Sequence, residues 1–501
     1  MTKKTTGLLL ASVVCTVLAA PGFSAAVTAN IALNTTVNTF DPHMTASVGS
    51  DLSVLSHIYP ALVLRGPDLK LHPELATSWE AVNDTTWRFK LLPGAAFANG
   101  EPIDAAAVKW NLDRVRDPKV NARIKAWFSQ VAEVKVISPT ELEVVTSSPY
   151  PSFVDQISMF LLLPPKWAAS HNPATETLSG GRYILQENVP GNRITLQENP
   201  GYFGKKPAFD TVVFRVIPEP ASRIAALLAG EASLITAIPP SELARVNGSG
   251  KASAGSVPSM RSVMIKFNTE KAPLDNKAVR QALNYAIDKE GISQALFNGQ
   301  AAVSQCQVLT PSYFGYNPAL QGYAYDPDKA RELLKKSGAD LAKPIALDVP
   351  TGTYLQGNEV AQVVAAQLSE VGLKVSINEM EFSSYMNKYL KTRELAQTSL
   401  LAQAWPTLDA DGLLTLFAPG NNYAYWDNAA FGQALTEGRA SVDPAARLAA
   451  YRKATQIMCD EAPAIFLYTQ PATYGVANAV RWSQRGDDWV RAFDMTPADG
   501  K

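Results

Sequence analysis

Across residues 86–91 the apolar side chains Trp87, Phe89 and Leu91 alternate with Arg88 and Lys90. This is the period of two expected of a strand with one buried face. Pro93-Gly94 and Asn99-Gly100 then mark two turns. Asp104 follows as an N-cap for a helix whose apolar stripe is Ala105, Val108, Leu112 and Val115. The same grammar recurs along the chain. Thr211–Val216 reads as a buried strand ended by Pro218-Glu219-Pro220, and Arg223–Leu228 starts a helix that stops at Gly230. Asp275 is expected to cap a helix carrying Val279, Leu283 and Ile287 on one face. Asp326-Pro327 supplies a cap and a first-turn proline, and Gly338 the matching stop. Val360, Val364, Leu368 and Val371 form another stripe, closed by Gly372, and Leu373, Val375 and Ile377 follow as an alternating strand. Asp443-Pro444 opens a last helix with Leu448, Tyr451 and Met458. Strand and helix signals alternate throughout, without low-complexity tracts or short repeats, and predict an α/β architecture.

The N-terminus reads as a leader. Lys3 and Lys4 precede an apolar run from Leu8 to Ala20, too short for a comfortable membrane span. Small residues place cleavage after Ala26, with Ser24 as the alternative, so residues 1–26 are expected to be a signal peptide. Cys15 follows Val14 and the apolar run continues past it, so lipidation is not expected. The remaining chain exceeds what one hydrophobic core organises, and two or three domains are expected. A formal net charge of −1 gives no reason to expect nucleic acid as a partner. Cys306 and Cys459 either pair, as an oxidising compartment permits, or stand as separate buried thiols.

Chemistry-bearing motifs are missing. The four histidines, His43, His57, His72 and His171, are scattered, and no Cys/His spacing suits zinc. Gly248–Ser253 superficially resembles a phosphate loop. However, Ala252 follows Lys251 where a hydroxyl is needed, and Arg245 stands at the leading glycine. It reads as a flexible surface loop. No nucleophile and base are paired by a motif, so the expectation is a non-enzyme with no catalytic residues, metal or cofactor.

Residues 74–115 resemble the signature segment of the family 5 extracytoplasmic solute-binding proteins, the peptide, nickel and opine receptors of ABC importers. The resemblance continues through residues 199–233, 268–292, 325–338 and 367–375, and so covers essentially the whole chain after the leader. It implies a two-lobed, hinge-connected periplasmic binding protein fold with an extra subdomain in the first lobe. On that pattern the first lobe takes 27–59, 176–268 and 471–501, the subdomain 60–175, and the second lobe 269–470. Crossover strands are expected near Val263–Thr269 and Ala464–Thr469. The implied function is capture of an oligopeptide, peptide-like or opine-like solute by a periplasmic monomer that delivers it to an inner-membrane permease. A metal-chelate receptor, or a non-transport protein retaining the fold, is the alternative.

The resemblance also nominates site residues. Ala404–Leu414 matches a loop in which tryptophan precedes "D-P-D-N-F-L", so Trp405 is expected to form a flat cleft wall. Asp409 either accepts hydrogen bonds from a ligand amine, orients the wall, or only caps the next helix. Tyr423, Tyr425 and Trp426 follow a turn and offer stacking surfaces, one or two of them expected in the core. Thr45 and Ser47 lie in the stretch that borders ligand in relatives, after His43, which is expected to be structural. Ser158, Met159 and Tyr354 fall in the other stretches expected to decide the substrate. Two departures bear on that substrate. Pro406 lies near the position of the aspartate that holds a dipeptide's amine, and Val349–Leu355 lacks the arginine that holds its carboxylate. A buried carboxylate without a cation costs several kcal/mol, so a zwitterionic dipeptide held in that way is not expected. Arg182 replaces the family's proline and either faces solvent, the expectation taken here, or supplies a cation near the cleft.

Overall fold

The computed structural model describes Thr2 and residues 27–498, so the leader expected over residues 1–26 lies, but for Thr2, outside the described residues. Two long strands, Ala252–Phe267 and Ala464–Ala477, form the spine of the molecule. They pair antiparallel from Ala252 opposite Ala477 to Lys266 opposite Ala464, with the register broken between Pro258 and Ser262. On one side Ala464–Ala477 pairs with Leu234–Thr236, which leads to Thr28–Leu33, Thr211–Val216, Arg193–Glu198 and Tyr183–Val189. On the other side Ala252–Phe267 pairs with Thr398–Gln403, which leads to Ile345–Pro350 and Val375–Met380. Each long strand therefore contributes one end to each half of the same sheet.

Separate cores stabilise the halves. The first gathers Ile31, Leu52, Leu55, Val212, Phe214 and Trp489. In the second half, Val279, Leu283, Val360, Val364, Leu368 and Ile465 share one core, and Tyr385, Tyr389, Leu413, Phe417 and Tyr451 another. A further core lies between the helix Ala105–Arg116 and a four-stranded antiparallel sheet ordered Ala76–Asn83, Thr86–Leu91, Glu141–Thr146, Val131–Ser138. Phe89, Val108, Leu112 and Val115 are fully buried there. The Asp104 carboxylate caps the helix by accepting from the Ala107 N–H at 2.9 Å.

The cap signals at Asp326 and Asp443 also form as expected, each side chain accepting from the first turn of its helix. The expectation for Asp275 is corrected. Asn276 caps Lys277–Tyr285, and that helix ends before Ile287, after which Asp288 caps Lys289–Phe297. Asn276 wins because its amide oxygen reaches the Ala278 N–H at 2.9 Å. Of the expected surface loop Gly248–Ser253, only Gly248–Lys251 is a turn after the helix Leu243–Asn247; Ala252 and Ser253 already belong to the long strand, with Ala252 buried. Cys306 and Cys459 are disulfide-bonded across a separation of 153 residues.

Two buried histidines make acid stability testable. His57 Nδ1–H donates to the Ser53 carbonyl at 2.8 Å, and Nε2 accepts from the Ala492 N–H at 3.0 Å. His43 bonds the Leu161 carbonyl, with Arg114 beside its other nitrogen. Burial lowers His57 from 6.5 to about 3 and His43 to about 4. Both are neutral in the fold, so unfolding takes up protons below pH 6.5. The stability they leave intact above pH 6.5 is lost as pH falls toward 4 and 3. Each is expected to remove about 2 kcal/mol between pH 7 and 5. Urea unfolding of His57→Gln at the two pH values should show a drop smaller by that amount. An unchanged drop would contradict the assignment.

Candidate ligand-binding cleft

All six residues of the strand Thr398–Gln403 are buried, and the chain emerges from it at Ala404–Trp405. The Trp405 N–H donates to the Tyr313 hydroxyl at 2.7 Å, and that hydroxyl donates to the Met260 carbonyl at 3.0 Å. The indole lies against Gly412, in the first turns of the helix Ala410–Thr415, where a Cβ would collide with the ring. Across the cleft, the turn Lys125–Phe128 buries Phe128 and presents Trp127. Two aromatic walls from distant parts of the chain thus face one space.

That space has two chambers. One, of about 1030 Å³, lies between Trp127 and Tyr150 on one side and Gln403, Trp405 and Tyr423 on the other. The other, of about 850 Å³, reaches Ser47, Met159, Thr236 and Asp488. Trp127, Gln156, Arg261, Tyr354, Ala404 and Trp405 line both, so the chambers open on one another as one cleft. The two long strands close its back through Arg261 and Gln470–Tyr474.

Most charges in the walls are already committed. Arg223 donates to four backbone carbonyls, those of Ile217, Pro218, Thr236 and Ala237. Arg439 is closed on Asp411 and the Thr415 hydroxyl. Lys266, fully buried behind the larger chamber, donates to the Tyr423 carbonyl at 2.5 Å and packs over Phe417, and burial pushes its ammonium down to about 7. Arg261 differs. Its guanidinium approaches Asp488 at 3.5 Å, and each side chain is about a third exposed.

The family model for bacterial extracellular solute-binding proteins, family 5 Middle, matches residues 70–425. The nickel-binding periplasmic protein of Escherichia coli strain K12 is 31% identical over 380 residues, 70% of each chain. The chain belongs to the family 5 bacterial extracellular solute-binding proteins. The dipeptide-binding protein of the same strain is 28% identical over 431 residues, covering 79% of this chain and 80% of its own. The fold is the two-lobed one of the family. The substrate-binding protein CtaP of an ABC transporter from Listeria monocytogenes superposes with a TM-score of 0.84 at 21% identity, covering 94% of this chain and 99% of its own.

Within this family 5 member the nominated residues divide. Trp405 and Tyr354 line both chambers, Tyr423 the larger, and Ser47 and Met159 the smaller. Thr45 stands behind the wall. Its hydroxyl donates to Asp51 at 2.7 Å and accepts from the Ser47 N–H, which fixes the turn presenting Ser47. Ser158 is buried, its hydroxyl turned to the Asp155 carbonyl. Asp409 and Tyr425 take the structural alternatives left open for them, helix cap and core residue, and the solvent-facing expectation for Arg182 is corrected. Asp409 does not face the cleft: it accepts two bonds from Arg447, at 2.7 and 2.9 Å, and caps the helix through the Asp411 N–H. Tyr425 is a core residue, stacked on Tyr389 with its hydroxyl donating to the Tyr389 carbonyl. Trp426 is also buried in that core. Arg182 faces neither solvent nor the cleft, because Glu74 holds it at 2.7 and 2.9 Å between the Tyr202 and Phe493 rings. His43 is structural.

Gln156 falls in the 156–160 stretch expected to decide the substrate, whereas sequence reasoning missed Trp127, Arg261 and Asp488. One signal was available: Arg261 is a lone charge between Lys251 and Lys266, two residues before the apolar crossover segment Val263–Ile265.

Because a Cβ at position 412 would meet the Trp405 ring, Gly412→Ala probes the indole wall directly. A methyl group there displaces the Trp405 ring. Affinity for any solute held against it should fall at least about tenfold, about 1.4 kcal/mol, with melting temperature little changed. Calorimetric titration of variant and parent checks this, and equal affinity would remove Trp405 from the binding wall.

Proposed function

We propose that this protein is the solute-capture component of an ABC importer. It works in the periplasm as a monomer after removal of residues 1–26, and it acts by binding rather than by catalysis. Residues 27–59, 176–268 and 471–501 form one lobe with the subdomain 60–175, and residues 269–470 form the other. The cleft takes a peptide-like or opine-like solute, the lobes close by flexing the two long strands, and the closed form docks on an inner-membrane permease. The observation that carries this reading is the double-chambered cleft, with Trp127 on one side and Trp405 on the other. A solute in contact with both stabilises the closed form, since only differential affinity shifts such an equilibrium.

The relatives named above bind nickel and a dipeptide. For this chain a peptide-like solute is favoured over a metal chelate because no histidine or cysteine is among the residues lining either chamber. Native mass spectrometry of freshly purified protein is expected to show a retained organic solute whose return to stripped protein raises the melting temperature. If neither the retained solute nor a broad panel of peptides, opines and metal chelates shifts melting, the capture reading fails.

A further inference from the structure

The Arg261–Asp488 pair stands in the cleft wall with its hydrogen-bonding capacity almost unused. Among the described residues neither side chain hydrogen-bonds any other group of the protein, and their one mutual approach is the 3.5 Å contact. An ion pair this exposed contributes about 1 kcal/mol or less to stability, so stability does not account for its placement. The site around it is stiff. Asp488 is held in a left-handed backbone conformation, φ 63°, a strained state for most residues other than glycine that collects at functional sites. Its neighbours are locked: Arg485 pairs with Asp487 and Asp494, and Arg491 donates to the Arg65 carbonyl and lies 3.8 Å over the Trp489 ring. Arg261 lines both chambers, so a group bound there has space on two sides. The other arginine–carboxylate pair in the wall, Arg439–Asp411, is closed on itself, and Arg223 is saturated by carbonyls.

We infer that Arg261 and Asp488 together recognise a free α-amino acid head group, an ammonium and a carboxylate on one carbon, an inference that rests on the capture reading above. The carboxylate accepts from the Arg261 guanidinium and the ammonium donates to the Asp488 carboxylate, so both ligand charges leave water already paired. The spacing selects the class. Opposite charges 3.5 Å apart match an ammonium and a carboxylate on the same carbon. The terminal charges of an extended dipeptide lie about 6–7 Å apart, too far to engage both members of the pair side by side. The rest of the solute runs into the larger chamber between Trp127 and Trp405. There Gln156 and Gln403 are in the wall, with amide atoms that have no partner within the protein. γ-Glutamyl peptides, side-chain-extended amino acids and opines belong to this class. Ordinary α-linked peptides, whose charges are separated, do not.

The test is calorimetric titration of two matched sets. The head-group set comprises the free L-amino acids, γ-glutamyl di- and tripeptides including glutathione, side-chain-acylated lysines and opines. The second set comprises α-linked di- to tetrapeptides. A member of the first set is expected to bind, and its N-acetyl and C-amide derivatives at least 100-fold more weakly. Arg261→Met and Asp488→Asn are expected to weaken it to the same extent without lowering the melting temperature, asparagine being tolerant of the left-handed conformation. If an α-linked peptide binds instead and Arg261→Met leaves its affinity within threefold, the inference is overturned and solute capture stands. If nothing in the first set binds, the inference is overturned as well. The capture reading falls with it only if no peptide, opine or metal chelate closes the cleft.

Discussion

Replacing Arg447 with methionine is expected to destabilise the protein by about 3–5 kcal/mol, the usual consequence of stranding a buried charge. Arg447 and Asp409 are both almost completely buried and joined at 2.7 and 2.9 Å. Asp409 also caps the helix Ala410–Thr415, from which Gly412 meets the Trp405 ring. Burial, opposed by Arg447 and reinforced by the nearby Asp155, already pushes the Asp409 carboxyl up to about 6. Without the guanidinium it rises further. A carboxyl whose folded pKa lies above its unfolded value is protonated first in the fold, so the deficit of Arg447→Met should narrow as pH falls from 7 to 5. The double variant Asp409→Asn/Arg447→Met keeps a capping side chain and removes both charges, and should recover most of the loss. Thermal and urea unfolding of the three proteins at both pH values checks this. A single variant within about 1 kcal/mol of the parent would contradict the account of Asp409 as a structural anchor.

The second large effect concerns closure. Arg65 donates to Asp155 at 2.6 Å and to the carbonyl of Thr407, a residue of the larger chamber's wall, at 2.8 Å. Its backbone is pinned by Arg485 and Arg491, whose guanidinium groups donate to the Arg65 carbonyl at 2.9 and 2.8 Å. Arg65 is not among the residues lining either chamber, so on the proposed closure mechanism its bond to Thr407 acts through closure rather than on the solute. A hydrogen bond from a charged donor contributes about 1.5–3 kcal/mol. Removing it with Arg65→Met/Asp155→Asn, so that no carboxylate is left stranded, should lower the closed population. Apparent solute affinity should then fall about 10- to 100-fold. Titration calorimetry reads the change, and unaltered affinity would show that the Thr407 contact does not support closure.

The scaffold was legible where its signals are local. Asp104, Asp326-Pro327 and Asp443-Pro444 cap helices because cap chemistry needs only the next few residues. At Asp275-Asn276 two capping side chains stand side by side, and sequence cannot rank them. The cleft was legible only in part. Tyr423 and Tyr425 lie two residues apart in an irregular loop, which turns one to the cleft and the other onto Tyr389. No periodicity separates them. Asp409 carries the side chain a ligand amine would need, yet Arg447, far along the chain, claims it. Arg182 likewise has its partner, Glu74, more than 100 residues away. Trp127, Arg261 and Asp488 line one chamber only because the fold brings the turn Lys125–Phe128, a long strand and the C-terminal segment together. Their roles follow from topology that no short window contains.

Small-angle scattering on protein stripped of its retained solute, before and after that solute is returned, tests the central claim most directly. Solute capture by lobe closure predicts a smaller radius of gyration with solute bound, reversed on stripping, in a particle of monomeric mass. Solute that binds and raises the melting temperature while the radius stays constant would contradict closure.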